Sequence, residues 1–538
     1  MKPKSYPSTP IFLIILLSII VLLFQDTYWL KAMSQISSDS LVTWVSPSLT
    51  RIGLTESNGS TKNAELFAAR GEYESFQIVV RASQTNLSNV NVSVSDLTSS
   101  NGQVIPRSTI SLYREHYVPV NHSSPGKKGS SNSPLPPGMY ADALIPFANS
   151  ETGLDITGAE LDAVPFNLKS GNNQPIWVDL FVPRNTQAGK YQGTYTVTSN
   201  QGEVSGEISL KVWNFELPLK PSLNSEFEAY NYKDKKSTQE ILKHKLMPVV
   251  QLSKADQKDL IDNWGLKSLR LPFGSGADYN NRTMSPPPSI DDIKSVAEQY
   301  DSNLFLYSRF ADEIDGSPEL NEPIKQWARN FHQAGVSTAI AMSPIPELYD
   351  NGLGNGRSAV DTWILTPSSY NENLNPVSEV LAKGDNTWFY TALALDDYSP
   401  KWLIDYQPIN YRIPHGFISQ SLGITGVLYW RIDNWTGDPW KDEQVYSHKN
   451  EYFPGEGMLV YPGQKVGIEG IVPSIRLKWI RDGVEDYEYI QILKNLGRGS
   501  SALDISRKVG KDWKNWTQDI NVLGSARQQL GEEIEKYS

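Results

Sequence analysis

The chain contains no cysteine among its 538 residues. Disulfides, thiolate nucleophiles, Cys-ligated zinc and lipoprotein anchoring are thereby excluded. Histidine is nearly as scarce, and none of the six falls into a metal-ligand spacing, so no metal is expected. No glycine-rich phosphate loop follows a strand-like run, which removes the nucleotide-binding open sheets, and no G-x-S-x-G elbow is present. Positive charge is in deficit: 49 Lys and Arg stand against 60 Asp and Glu, for a net charge of -11. Nucleic acid and anionic membrane surfaces need a basic face, so neither is expected as a partner.

Long apolar runs are missing except for one, Ile11 to Phe24, broken only by Ser18 and preceded by Lys2 and Lys4. That length suits a signal peptide and is short for a spanning helix. Tyr28-Trp29-Leu30 follows where a small-x-small cleavage site would stand. Residues 1–35 are therefore expected to be a signal peptide or an uncleaved anchor using residues 11–30, and the body of the protein to be exported. Sequons such as Asn58-Gly59-Ser60 and Asn434-Trp435-Thr436 matter only in a host that glycosylates.

What is abundant is aromatic surface, with 15 Trp and 26 Tyr, a composition suited to stacking on sugar rings. The length calls for two domains. From 40 to 221, short alternating runs such as SFQIVVRAS, VNVSVSDL, IWVDLFVP and GTYTVTSN are separated by Gly, Asn, Ser and Pro, and predict an antiparallel β-sandwich. Its one long polar loop, 123–138, reads as a surface excursion, with a reach over a neighbouring cleft as the alternative. From 222 to 538 strand-like runs alternate with amphipathic helical ones. Eight strands are expected, at 227–231, 248–252, 268–273, 304–310, 337–342, 361–366, 387–395 and 426–432. That number predicts a (β/α)8 TIM-type barrel.

Working residues of such a barrel sit at the carboxyl ends of its strands. There the chain presents Tyr230 and Asn231, Asp312 and Glu313, Tyr390, Asp396 and Asp397, then Trp430, Asp433, Asn434 and Trp435. The pair Asp312-Glu313 ends an apolar run, and Ser317-Pro318 is expected to cap the helix that follows. Carboxylates flanked by indole and phenol rings, with no cofactor implied, point to glycoside chemistry. One acid protonates the leaving oxygen while a second steadies positive charge at the anomeric carbon. Near the C-terminus, PSIRLKWIRDGVEDYEYIQIL has an apolar helical stripe with Arg481, Asp482, Glu485 and Asp486 facing away, and predicts a closing helix whose charges are structural, either solvated or paired. Arg476, at the start of that helix, is expected on the catalytic side.

Several of these stretches together resemble an exported family similar to glycoside hydrolase family 123, the N-acetyl-β-galactosaminidases. The resemblance rests on AARGEYESFQIVV (68–80), YREHYVPV (113–120) and QPIWVDLFVPRNTQAGKYQGTYTV (174–197) in the first domain. In the second it rests on LYWRIDNWTGDPW (428–440), GEGMLVYPG (455–463) and PSIRLKWIRDGVEDYEY (473–489). It implies a retaining, substrate-assisted hydrolysis in which the sugar's own acetamido oxygen attacks the anomeric carbon. Glu313 is then general acid and later base, and Asp312 accepts the acetamido N–H. Tyr390 becomes a donor to the acetamido oxygen, Trp430 or Trp435 the sugar platform, and Asn434 a substrate contact. Two departures stand out: Ile314 where the family usually has Pro, and Ser399-Pro400-Lys401 where it usually has Tyr-Pro-Asn. Other readings remain open. One is a two-carboxylate glycosidase pairing Glu313 with Asp396 or Asp433. Another is a non-catalytic envelope protein that binds polysaccharide with its aromatic rim.

Overall fold

The structure, a computed structural model, describes residues 1, 40–56, 59–126, 130 and 132–538. The apolar run at 11–24 and the sequon at Asn58 lie outside these residues. Among the described residues no helix is long and apolar enough to cross a membrane.

Two sheets occupy residues 41 to 216. One is antiparallel throughout, in the order Leu41–Pro47, Tyr73–Ala82, Asn173–Phe181, Ile110–Val120, Gly138–Pro146. The main path of the other runs Ala64–Arg70, Gly202–Glu216, Gly189–Ser199, Leu87–Val94, Phe166–Leu168. Its first pair is parallel, the one departure from an antiparallel sandwich. Ile78, Val80, Ile176 and Val178 from the first sheet share a core with Val90, Val92, Val197 and Leu210 from the second. Leu87–Val94 alternates buried and exposed, as a strand with one wet face should. Tyr73–Ala82 is instead buried on both faces over most of its length. On its outer face Tyr73 N and Ser75 meet Glu485 and Arg481 of a helix from the second half of the chain, Gln77 donates to the carbonyls of Pro47 and Thr50, and Val79 packs with Trp44 and Ile52.

The second half holds seven parallel strands: Asn224–Phe227, Ser268–Arg270, Phe305–Asp312, Ser337–Ala341, Thr362–Leu365, Asn386–Tyr390 and Gly426–Tyr429. The last pairs with the first, so the sheet curls into a nearly closed barrel. This corrects the expected (β/α)8 count. The run at 248–252 makes one bridge, Phe227 to Pro248, and no ladder. Pro248 has no N–H to donate, and Ser253 already caps the next helix, so the segment has no length over which to pair.

The helix Ile475–Leu493 sits between the two halves, with the Ser474 side chain accepting from Leu477 N. Seventeen of its nineteen residues are buried, so the charges are structural as expected but lie on no exposed face. Its charges are paired instead. Asp179 of the sandwich accepts from Lys478 at 2.9 Å and Arg481 at 2.8 Å. Arg412 grips Asp486 at 2.7 and 2.9 Å. Arg476, expected on the catalytic side, makes a two-pronged bond to Asp142 of the sandwich at 2.7 and 2.9 Å. Gly483 is required where this helix touches the 409–418 segment, because a Cβ there would lie 2.3 Å from the Arg412 carbonyl.

Candidate active site

The strand Phe305–Asp312 builds the acidic rim through a bulge. Its pairing with Ser337–Ala341 sets Arg309 opposite Ala339, then skips Phe310 so that Ala311 meets Ile340 and Asp312 meets Ala341. Ala339 and Ala341 share a cluster with Tyr307, Ile364, Trp388 and Leu428 at the barrel's centre, whereas Ile340 packs with the outer helices. The extra residue therefore puts Phe310 and Ala311 together on the outer face. It returns Asp312 to the inner face that Tyr307 and Arg309 share. Phe310 is held outside by stacking on Trp327, 5.1 Å between centroids, and on Phe331 at 5.9 Å.

Glu313 follows in a left-handed conformation (φ +48°), its N–H still bonded to the Ala341 carbonyl at 2.8 Å. A non-glycine residue there is strained by about 1–2 kcal/mol, and such strain clusters at functional sites. Ile314 turns into the outer core, and Asp315 accepts from Ser343 N at 2.8 Å. Pro318 opens a short 3-10 turn ahead of the helix Asn321–Gln333, but the Ser317 hydroxyl makes no capping bond, contrary to expectation.

The two carboxylates are adjacent yet held differently. Arg309 Nη1 lies 2.8 Å from Asp312 Oδ2, and the Asp312 side chain is 58% exposed. The Tyr390 hydroxyl donates to Glu313 Oε1 at 2.8 Å. Beneath Asp312 runs an ionic layer that the sequence reading missed. Glu226 accepts from Arg270 (2.7 Å), Arg309 (3.0 Å) and the Tyr307 hydroxyl (2.8 Å). Arg270 also reaches both oxygens of Glu228 at 3.1 Å. The available signal was a charged residue at an inward register of an otherwise apolar strand, as in LYSRF and SLRLP. Burial on the wall side pushes the Asp312 carboxyl above its ordinary value, Arg309 pulls it down, and Glu313 pushes it up again. The Tyr390 phenol is pushed up by burial and then by Glu313.

Trp430 packs against the same central cluster as Tyr390, so four of the expected residues converge: Asp312, Glu313, Tyr390 and Trp430. Asn434 and Trp435 are engaged elsewhere. The Asn434 side-chain oxygen accepts from Arg431 at 3.0 Å. Trp435 sits edge-on to Tyr232, packs against the cores of both halves, and donates its N–H to the Val460 carbonyl at 2.8 Å. The carboxylates considered as partners for Glu313 are also occupied. Asp433 is fully buried and accepts from the N–H groups of Tyr230 (3.0 Å) and Asn231 (2.7 Å) and from Arg431 (3.1 Å). Asp396 accepts from Lys401 at 2.8 Å and from the Ser399 hydroxyl at 2.8 Å. Lys401, the departure from the family pattern, is thus a buried counter-ion.

A further carboxylate was missed. Glu456, in the GEG of residues 455–457, accepts from Trp430 Nε1 at 2.7 Å and from Leu393 N at 2.9 Å. The sandwich loop 123–138 reaches this side as well: Asn132 donates to the Ser399 carbonyl and Asn410 at 2.9 and 2.8 Å, and Ser130 to the Asp397 carbonyl at 2.6 Å. Ser130 and Asn132 thus buttress the loop behind Tyr390. Two cavities of about 700 and 540 Å³ line the seam between the sandwich and the C-terminal helices, and no rim residue borders either. Among the described residues no group of three metal-ligating side chains forms.

Comparison with known families matches residues 54–199 to the glycoside hydrolase 123 N-terminal domain and residues 318–493 to the glycoside hydrolase 123 catalytic domain. The second match begins just after Asp312-Glu313 and takes in Tyr390, Trp430, Glu456 and the long helix. Among solved structures, a family 123 glycoside hydrolase from Clostridium perfringens, studied for glycolipid glycan hydrolysis, superposes with a TM-score of 0.62 at 14% identity. The alignment covers 93% of this chain and 98% of that one, so the two share a fold. A GH10 xylanase with a bacterial Ig-like domain from termite gut (TM-score 0.27, 9% identity, 79% of this chain and 100% of that one) is too remote to carry an argument. The same holds for a Parabacteroides merdae β-glucuronidase (0.25, 10%, 67% and 45%). No curated protein matches the chain.

Proposed function

We propose that this chain, which belongs to glycoside hydrolase family 123, hydrolyses glycans containing N-acetylated amino sugars with retention, by a substrate-assisted path. The observation that supports this most is the bulge at Phe310. It turns Asp312 inward beside Arg309, while Glu313 takes the next, strained position beside Tyr390. Neighbouring acids with different partners suit the two different tasks the reaction sets.

In the first step the acetamido oxygen of the bound sugar attacks the anomeric carbon. The bond to the leaving oxygen breaks as Glu313 gives that oxygen its proton. Asp312 accepts a hydrogen bond from the acetamido N–H and stabilises the positive charge that spreads over the new five-membered ring. An internal nucleophile has a large effective molarity, which removes the need for a second attacking carboxylate. In the second step Glu313, now ionised, takes a proton from water as the water attacks the same carbon, and the ring opens with net retention. On substrate binding the single Tyr390 O–H turns from Glu313 Oε1 to the acetamido oxygen, and Trp430 forms the face on which the sugar rests. The engagement of Asp396 and Asp433 in their own loops counts against a mechanism that uses either as partner to Glu313.

We also propose that the protein acts outside the cytoplasm, on the basis of the charged-then-apolar segment at residues 2–24; cell fractionation tests this. The activity is tested with a chromogenic N-acetyl-β-galactosaminide, following the anomer first released by proton NMR. Retention is expected, together with loss of turnover in Glu313→Gln. Binding of glycans without hydrolysis of any amino-sugar substrate, or full turnover by Glu313→Gln, would overturn the proposal.

A further inference from the structure

Two rim elements that are distant in sequence meet on one carboxylate. Glu456 lies between Gly455 and Gly457, both left-handed (φ +75° and +72°), and is 3% exposed. Its Oε1 accepts the indole N–H of Trp430 at 2.7 Å, and its Oε2 accepts the backbone N–H of Leu393 at 2.9 Å. Trp430 directly follows the strand Gly426–Tyr429, and Leu393 lies just past Tyr390 on the loop after Asn386–Tyr390. Leu393 has φ +55°, a turn that a leucine adopts only when its surroundings hold it there. Gly457 and Tyr446 confine the indole on two more sides. A Cβ on Gly457 would come within 2.6 Å of Trp430 Cζ2, and Tyr446 meets the ring edge-on with centroids 6.0 Å apart.

We infer that Glu456 is a positioning residue, which locks Trp430 and the loop behind Tyr390 into one unit and thereby sets how tightly the rim holds a sugar. The inference rests on the glycosidase reading of that rim. A carboxylate offers two acceptor oxygens and no donor, which is what two converging N–H groups require. The isosteric carboxamide satisfies one of them and turns its own NH2 on the other. A proton on Glu456 has a related effect, because one oxygen then becomes a donor.

Burial pushes Glu456 up to about 7, against the pull of the Trp430 and Leu393 N–H groups and of Arg476. The charged and titratable groups that face it are Arg476, itself paired with Asp142, and Tyr429, whose hydroxyl accepts from Gly457 N at 2.9 Å. Arg476 offers no acceptor for a proton on Glu456, and the Tyr429 oxygen already accepts from Gly457 N. The clamp is therefore complete above that pH and loosens as pH falls through it.

The test compares wild type, Glu456→Gln, Trp430→Phe and the double variant on the chromogenic N-acetyl-β-galactosaminide between about pH 5 and about pH 9, with calorimetric binding of free N-acetylgalactosamine in parallel. Glu456→Gln should raise KM and weaken sugar binding about tenfold with kcat little changed. It should also abolish the rise in KM that wild type shows on the acid side. In the Trp430→Phe background it should add almost nothing. An unchanged KM, a loss confined to kcat, or full additivity with Trp430→Phe would overturn the inference. If Glu456→Gln does not fold, a flat wild-type KM and sugar affinity across the acid side would overturn it. The two readings fail separately. Wild-type behaviour of Glu456→Gln beside a dead Glu313→Gln defeats the clamp alone, whereas absent turnover defeats the glycosidase and leaves the clamp to the binding measurements.

Discussion

Arg309 bridges the buried ionic layer of the barrel and the acid at its mouth, with Glu226 on one side at 3.0 Å and Asp312 on the other at 2.8 Å. It is the group that pulls the Asp312 carboxyl down against burial and against Glu313. Arg309→Met removes that pull, so Asp312 takes up its proton at higher pH and ceases to stabilise charge. The acid limb of the kcat profile should move to higher pH. At the wild-type optimum kcat should fall about a hundredfold or more, since one preorganised electrostatic partner is gone. The same change strips Glu226 of one of its two cations, and breaking a buried pair costs about 3–5 kcal/mol. The thermal midpoint should therefore drop as well. A pH–rate profile on folded Arg309→Met decides the matter, and an unmoved acid limb would show that Arg309 does not tune Asp312.

Among the elements, the helix Ile475–Leu493 shows how far local pattern reaches. Leu477, Ile480, Val484 and Tyr487 fall at helical spacing, which correctly predicts a helix with an apolar stripe. Whether the charged remainder is solvated or paired is not legible, because its partners, Asp142 and Asp179, lie some three hundred residues upstream. Asp179 gathers Lys478, Arg481 and the Ser75 hydroxyl. Burial alone would raise its carboxyl, yet Arg481 and Lys478 outweigh burial and hold it well below the ordinary range. Asp179→Asn should then lower stability by about 3–5 kcal/mol, read from a denaturant midpoint, while KM stays at its wild-type value. A loss under about 1 kcal/mol would mean that the pair is no better than a surface one. The strand Phe305–Asp312 is the opposite case. Its place and its acids are legible, but the bulge that aims them is not, because LYSRFADE alternates equally well in either register and only the packing of Phe310 on Trp327 selects one. At 248–252 the apolar run is visible and so is the proline that shortens it, and it is the proline that decides the outcome.

Across the whole molecule, the sandwich and the parallel strands follow from turn residues and hydrophobic period. What joins them does not: it is a dry seam of charges, and that seam shapes the pH response. Burial raises Glu115 to about 8, and Asp486 to about 6 against the pull of Arg412. Glu456, at about 7, adds to them. Each binds a proton more tightly folded than unfolded, so each makes stability fall as pH rises from its ordinary carboxylate value through its folded value. His244 and His415 oppose this on the acid side. Both are buried, burial pushes both below their ordinary value, His415 to about 3, and the folded state thus loses stability as pH falls below the ordinary histidine range. Lys267, pushed down to about 8 by burial, adds stability only as pH rises above that value. Between these limits the carboxyls dominate. Urea midpoints should accordingly increase as pH is lowered from about 8 toward about 6.5, then level off as the histidines take over. Glu115→Gln should flatten the upper part of that rise, because it removes the carboxyl with the highest folded value among those three. A midpoint that climbs from pH 6.5 to pH 8 in wild type would mean that Glu115, Asp486 and Glu456 are solvated rather than buried.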